Sequence, residues 1–160
     1  MQRRFRFKEA AVGGTFDVLH AGHERLLSRA FGLSRFVYVG VSGDALVPSL
    51  QKHHEVRPFS DRRRDLRRFL KAHGWHERSK IVQLKDPFGP AISERNIQAL
   101  IVSRLTAKSG RKVNSIRHAR KLPPLRLIVV KMVRAKDGKP ISTTRIRRGE
   151  IDSRGALLQR

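Results

Sequence analysis

Five short apolar runs, most of them separated by a helix-sized amphipathic stretch, leave this chain very few architectures. The runs are KEAAVGG (8–14), RFVYVGVS (35–42), KIVQLKD (80–86), QALIVS (98–103) and LRLIVVKMV (125–133). Each is apolar on consecutive rather than alternate positions, the pattern of a strand covered on both faces. Between them, AGHERLLSRAFG (21–32) brings Leu26, Leu27, Ala30 and Phe31 to one side and is expected to stop at Gly32. SDRRRDLRRFLKAHG (60–74) is expected to start at an N-cap, Ser60, to bury Leu66, Phe69 and Leu70, and to end at Gly74. GRKVNSIRHARKL (110–122) offers Val113, Ile116 and Ala119 before Pro123 and Pro124 end it. Strand and helix in alternation predict an α/β fold. The expectation is one Rossmann-like, doubly wound domain over residues 1–160, with a five-stranded parallel sheet and helices on both faces. Ligands of such sheets lie beyond the carboxyl ends of the strands, where the strand order reverses.

Composition narrows the chemistry. With 160 residues, 39% hydrophobic and 31% charged, the chain can bury a core without staples. It has no cysteine, which removes disulfides, thiolate catalysis and cysteine-bound zinc. No run reaches the roughly 18 apolar residues of a membrane span, and AAVGG is too short for a signal-peptide core, so a cytoplasmic protein is expected. The net charge is +23, with 17 Lys/Arg against 3 Asp/Glu in residues 101–160. Such a balance favours polyanionic partners, whether phosphorylated substrates, nucleotides or nucleic acid. It also argues mildly for a monomer, since copies would repel.

The first run continues into VGGTFDVLHAGH (12–23). Its glycines let another molecule approach the backbone. The helix start that follows points free N–H groups at an anion, and His20 and His23 add donors that can follow charge building on a phosphate. These parts suit a mononucleotide site. Zinc is not expected, because nothing nearby supplies a third ligand, and Asp17 reads as a turn residue binding its own backbone. His53, His54, His73, His76 and His118 have no constellation and read as structural or solvated; Trp75 reads as a packing lid.

G-T-F-D-x-L-H-x-G-H resembles the signature of the nucleotidyltransferase superfamily, whose members move a nucleotide from a nucleoside triphosphate onto a phosphate. KPISTTRIRRGEID (139–152) is similar to its second signature, I-S-S-T-x-I-R. RIRRGEID, VRPFSDRR (56–63) and LPPLRLIVVKMV (122–133) resemble the archaeal type of phosphopantetheine adenylyltransferase, over nearly the whole chain. The resemblance implies ATP and 4'-phosphopantetheine as substrates, magnesium arriving with ATP, and in-line transfer without a covalent enzyme intermediate. It implies catalytic roles for His23 and His20, and ATP binding by Gly14, Thr15, Phe16, Gly22, Ser142, Thr143, Thr144, Arg145 and Arg147. For phosphopantetheine it implies Thr15, Arg57, Ser103, Thr106, Asn114 and Arg117.

The chain also departs from the pattern. The lysine that usually grips the pantetheine phosphate falls on Leu50, leaving Lys52 to substitute from two places away. Where the family reads V-S-E-E-T, this chain reads VSRLT (102–106), with Arg104 and Leu105 in place of two acids. Two alternatives therefore stay open: a cytidylyltransferase or FAD synthase within the superfamily, and a basic, inactive relative that binds nucleic acid. Non-specific, salt-sensitive nucleic-acid binding is expected at least as a side property.

Overall fold

The computed structural model describes residues 4–50 and 54–159. The apolar runs become β1 (Phe7–Gly14), β2 (Ser34–Ser42), β3 (Ser79–Leu84), β4 (Ala99–Ser103) and β5 (Arg126–Val130). They form one sheet in the order β3-β2-β1-β4-β5, parallel throughout, with Val12 opposite both Val39 and Ile101. The chain steps one way from β1 to β3 and the other way from β4 to β5. The order therefore reverses between β1 and β4, and a crevice opens over their carboxyl ends at Gly14 and Ser103.

Helices α1 (Ala21–Leu33) and α2 (Phe59–Ala72) cover one face, and α3 (Ala107–Ala119) covers the other. Alternate strand residues serve alternate faces. Val12, Val37, Val39 and Ile101 pack with Leu27, Phe31, Leu66 and Leu70, while Ala11, Leu100 and Val102 pack with Ala91, Val113 and Leu125. Beyond β5 the chain folds back and forms a third small core from Ala135, Ile141 and Ile151, against Ala21 and Ile146. That tail includes a short helix, α4 (Thr143–Arg147). Trp75 stacks on Phe31 at 4.8 Å and 9°, closing the core where α1 and α2 end.

Three expectations about the elements give way. Gly32 does not stop α1: Ser34 donates its N–H to Ala30 and begins β2 at once, so helix runs into strand with no loop. Ser60 lies inside the first turn of α2; Pro58 is the N-cap, and Asp44, just past β2, accepts the Phe59 N–H at 2.8 Å. A cap residue distant in sequence thus does the work expected of Ser60. Ala119 is exposed, and the inward position near the end of α3 is Arg117, whose side chain is wholly buried. Its Nε donates to the Pro123 carbonyl at 2.7 Å, and its Nη1 to the carbonyls of Ala91 and Glu94 at 2.9 and 3.0 Å. Those carbonyls belong to turns with no ladder partner, and a guanidinium is the side chain that can satisfy three of them at once.

Arg117→Ala strands these carbonyls, and we expect a loss of about 3 kcal/mol in urea unfolding. Arg117→Lys should recover little of it, because one ammonium cannot span the same acceptors.

Candidate active site

The second half of the glycine-rich stretch folds as a cap built from imidazoles. His20 is the N-cap of α1; its Nδ1 accepts the Gly22 N–H at 3.0 Å, and the Nδ1 of His23 accepts the His20 N–H at 3.3 Å. This is a reciprocal capping box with two histidines in place of a hydroxyl and a carboxylate. Because both Nδ1 atoms accept, the proton of each neutral ring sits on Nε2. The rings stack at 3.9 Å. Burial pushes the pKa of His20 down to about 4, so near neutral pH it is an uncharged N–H donor. Gly22 is required by this arrangement, since a Cβ there would lie 2.8 Å from the His20 ring.

Ahead of the cap, Phe16 takes a left-handed backbone, φ 51°, and buries its ring between Gly14 and His23. A conformation of this kind costs on the order of 1 kcal/mol and must be held by its surroundings. The fully buried Arg62 is one such support: it donates to the carbonyls of Thr15 and Ser42 at 2.8 and 2.7 Å, and to that of Arg57 at 2.8 Å. It clips the ends of β1 and β2 to α2.

Asp17 is the other support, and it is more than a turn residue. Only 2% exposed, it accepts the Arg57 backbone N–H at 3.1 Å and Arg57 Nε at 3.3 Å. It also accepts Arg147 Nε and Nη2 at 2.8 and 3.1 Å, with His54 Nδ1 at 3.5 Å. Burial alone would raise its pKa, but the bonds from Arg147 and Arg57 outweigh this and hold the carboxyl below its usual range. Arg147 belongs to α4, so Asp17 ties the second signature to the first. Two more contacts close the joint: Thr143 Oγ1 donates to the Val18 carbonyl at 3.4 Å, and Ala21 donates its N–H to Ser153 at 2.9 Å.

In α4, Ser142 is the N-cap and accepts the Arg145 N–H at 3.3 Å. Thr144 is half-buried on the same turn. Arg145 is held by Glu150 at 2.9 Å and by Asp137, which keeps it within its own hairpin. On the α3 side of the sheet a cleft of about 310 Å³ opens at Gly14, Thr15 and Ser42. Tyr38 and Leu100 line it as well, and Leu50 is part of its wall. Thr106 also lines it, its Oγ1 accepting the Ser103 N–H at 3.0 Å. Lys52 and His53 lie outside the described residues.

Three of the residues expected at phosphopantetheine are engaged elsewhere. Asn114 exchanges two hydrogen bonds with the Leu125 backbone, at 2.9 and 2.7 Å, and Arg117 braces the turns described above. Neither lines the cleft. The backbone groups left open where α3 meets β5 claim these side chains. Arg57 is bound to Asp17 and Asp65, and with Arg147, Val18 and Leu19 it lines a separate hollow of about 350 Å³. The sequence reading missed Arg62, Asp44 and the central role of Asp17. A buried arginine on a helix rich in exposed ones gives no signal of its own. Among the described residues no group of three or more His, Cys, Asp or Glu could hold a metal, and no helix is long and apolar enough to cross a membrane.

The cytidylyltransferase-like family matches residues 11–149. The chain belongs to this family. A phosphopantetheine adenylyltransferase of Methanothermobacter thermautotrophicus is 40% identical over 162 aligned positions, covering 100% of this chain and 94% of the relative. Relatives of the same name from Methanopyrus kandleri and Methanosarcina mazei are 41% and 42% identical, covering 92% and 93% of this chain and 92% and 96% of theirs. A crystal structure of a protein of unknown function from Archaeoglobus fulgidus is 27% identical, with a TM-score of 0.68 over 78% of this chain and 89% of that one.

Two outcomes follow for this cytidylyltransferase-like protein. Asp17→Asn should cost about 2 kcal/mol, because it sets a buried amide N–H2 against the guanidinium donors of the partly exposed Arg57 and Arg147, whereas Asp61→Asn, at an exposed pair with Arg64, should cost under about 1 kcal/mol. The contribution of Asp17 is present above the ordinary pKa of 3.8 and is lost as acid protonates the folded form. His20 also disfavours acid. Its folded pKa, about 4, lies below its ordinary 6.5, so its contribution is whole above 6.5 and falls away down to about 4. Urea unfolding of His20→Asn, which keeps an acceptor for Gly22, should show a weaker pH dependence across that window.

Proposed function

We propose that the protein transfers the adenylyl group of ATP to 4'-phosphopantetheine, giving dephospho-coenzyme A and pyrophosphate, in the cytoplasm. The observation that carries this reading is the joining of the H-x-G-H turn to the ISTTRIR segment through Asp17, at the switch point of the sheet. It is supported by full-length identity to relatives named for the reaction.

In the mechanism we propose, the triphosphate lies across the start of α1. An oxygen of the pantetheine phosphate attacks the α-phosphorus in line, and the bond to the bridging oxygen of pyrophosphate breaks. No protein nucleophile is needed, so catalysis is positioning plus stabilisation of charge. His23 and His20 donate from Nε2, and the neutrality of His20 makes its donation a dipole fixed in advance. Thr15 stands at the mouth of the cleft, between the nucleotide and the acceptor. Ser142, Thr143 and Thr144 approach the β- and γ-phosphates, with Arg147 oriented by Asp17. The donor set of imidazole and guanidinium groups fits phosphate oxygens. Magnesium would come with ATP and would supply charge neutralisation of the triphosphate; no cluster of the described residues would hold it, so the contribution of the chain itself is its imidazole, hydroxyl and guanidinium donors. The cleft, walled by Leu50 and Tyr38 and rimmed by Thr106, suits the amide-and-methylene arm of pantetheine.

Leu50 favours keeping a second reading, in which another phosphate acceptor or CTP is used, because the cleft wall presents an alkyl group there. Pyrophosphate release separates the two. We expect release with ATP only when 4'-phosphopantetheine is present, little with CTP, and a loss of about 10²–10³ in kcat for His23→Ala. Release with CTP, or with ATP and a different phosphate acceptor alone, would replace the reading.

A further inference from the structure

The net charge of this protein is not spread evenly over its faces. In the sequence the excess lies in the last sixty residues, but the fold consumes part of it. Arg117 is buried, Arg145 and Arg147 are bound to acids, and Arg154 pairs with Glu24. The concentrated excess is on α2, which carries RRRDLRRFLK. Its apolar side, with Leu66 and Leu70, is in the core, and Arg62 points inward with it. The rest of the run points out. Arg63, Arg67 and Lys71 are exposed at i, i+4 and i+8, with Arg68 beside them. Arg25 and Arg29 are exposed on α1, which covers the same face of the sheet. The acids on that face are already engaged: Asp61 with Arg64, Asp65 with Arg57 and Arg64, and Glu24 with Arg154 and His73. None of the six cations makes an ion pair among the described residues.

We propose that the outer face of α1 and α2 binds the phosphate backbone of a nucleic-acid duplex. Residues four apart on a helix advance by ~6 Å, a spacing that lets one row of side chains follow successive phosphates, and guanidinium groups take phosphate oxygens two at a time. The chemistry selects a duplex over the other large anions. An anionic membrane is held by charge together with apolar side chains that enter it. Among the described residues the large exposed apolar ones are Leu105, Val129, Leu157 and Leu158, and none lies on α1 or α2. Single strands are held by aromatic platforms; here Phe31, Phe59, Phe69 and Trp75 all pack into the core between the helices and the sheet. What remains is charge without insertion or stacking, which reads backbone and not sequence. The face lies on the opposite side of the sheet from the α3 cleft, and its α2 cations, which the test replaces, are not among the groups assigned to the triphosphate at the start of α1.

The test is fluorescence anisotropy of the full chain with labelled duplexes of DNA and RNA and with one unpaired strand of each, at salt concentrations from about 50 to 200 mM, beside vesicles of phosphatidylserine and phosphatidylcholine. We expect duplex binding whose affinity falls steeply with salt. In a variant carrying Arg63→Glu, Arg67→Glu, Arg68→Glu and Lys71→Glu the affinity should drop at least tenfold and the log–log salt slope should flatten by about 3 to 4. A second variant makes the same change in net charge at dispersed exposed sites, with Lys80→Glu, Lys85→Glu, Lys121→Glu and Arg126→Glu, and should lose much less. Unchanged far-ultraviolet circular dichroism and urea midpoints in both variants show that they fold. Equal losses in the two would mean that net charge and not this face does the binding. Absence of duplex binding at 50 mM salt, or tighter binding to the vesicles or to an unpaired strand, would overturn the proposal.

Discussion

One buried carboxylate holds together the two halves of the site. Asp17 sits in the turn between β1 and α1, out of water, and accepts hydrogen bonds from Arg57 ahead of α2 and from Arg147 at the end of α4. An ionised group in that position is tolerated only because cations surround it, and those cations are held in turn by its charge. In a chain with 36 Lys/Arg and 13 Asp/Glu, acids are the scarce component. Where an acid is placed therefore decides which arginines are fixed. Asp17 fixes two, Asp137 and Glu150 fix Arg145, and Asp44 meets both Arg62 and the first N–H of α2.

Around this joint the protein uses arginine as a brace for irregular backbone. Parallel strands end in turns whose carbonyls have no ladder partner, and the crevice above them is where backbone must be left unpaired for a ligand. Arg62 satisfies such carbonyls at Thr15 and Ser42, with a third at Arg57, and Arg117 does the same at the other end of the sheet, for three carbonyls of the segments that lead into β4 and β5. Both side chains are buried without an acidic partner that is itself buried, so hydrogen bonding to backbone dipoles replaces ion pairing in stabilising the charge. Arg62 thereby braces the turn that includes a left-handed Phe16 and leads to a cap made of two histidines.

The architecture was legible because it depends on local patterns. Consecutive apolar positions mark strands covered on both faces, and the 3.6-residue spacing of Leu66 and Leu70, or of Leu27 and Phe31, marks the buried side of a helix whatever it packs against. The glycine-histidine turn was legible as a helix start for a related reason: its residues are contiguous, and His20, Gly22 and His23 bond to one another two or three residues apart, although Thr15 to Asp17 are held by distant arginines. Asn114 and Arg117 show where such reading stops. Both stand on a helix after β4, where a resemblance assigns them to the ligand, yet the fold spends them on the Leu125, Pro123 and Ala91 backbone. Ser60 fails for the same reason, displaced by Asp44 from another element.

The sequence by itself determined the five parallel strands, the presence of helices on both faces, and a helix starting at the glycine-histidine turn, because each follows from spacing along a few residues. Tertiary structure alone decided which of the many arginines are buried, which acid organises the site, and which cations remain free on the surface. The contacts of Asp17 join residues 40 and 130 positions apart, and those of the buried Arg62 and Arg117 reach across 47 and 26. There a guanidinium on one helix looks like any other until the carbonyls and carboxylates of distant turns are brought beside it.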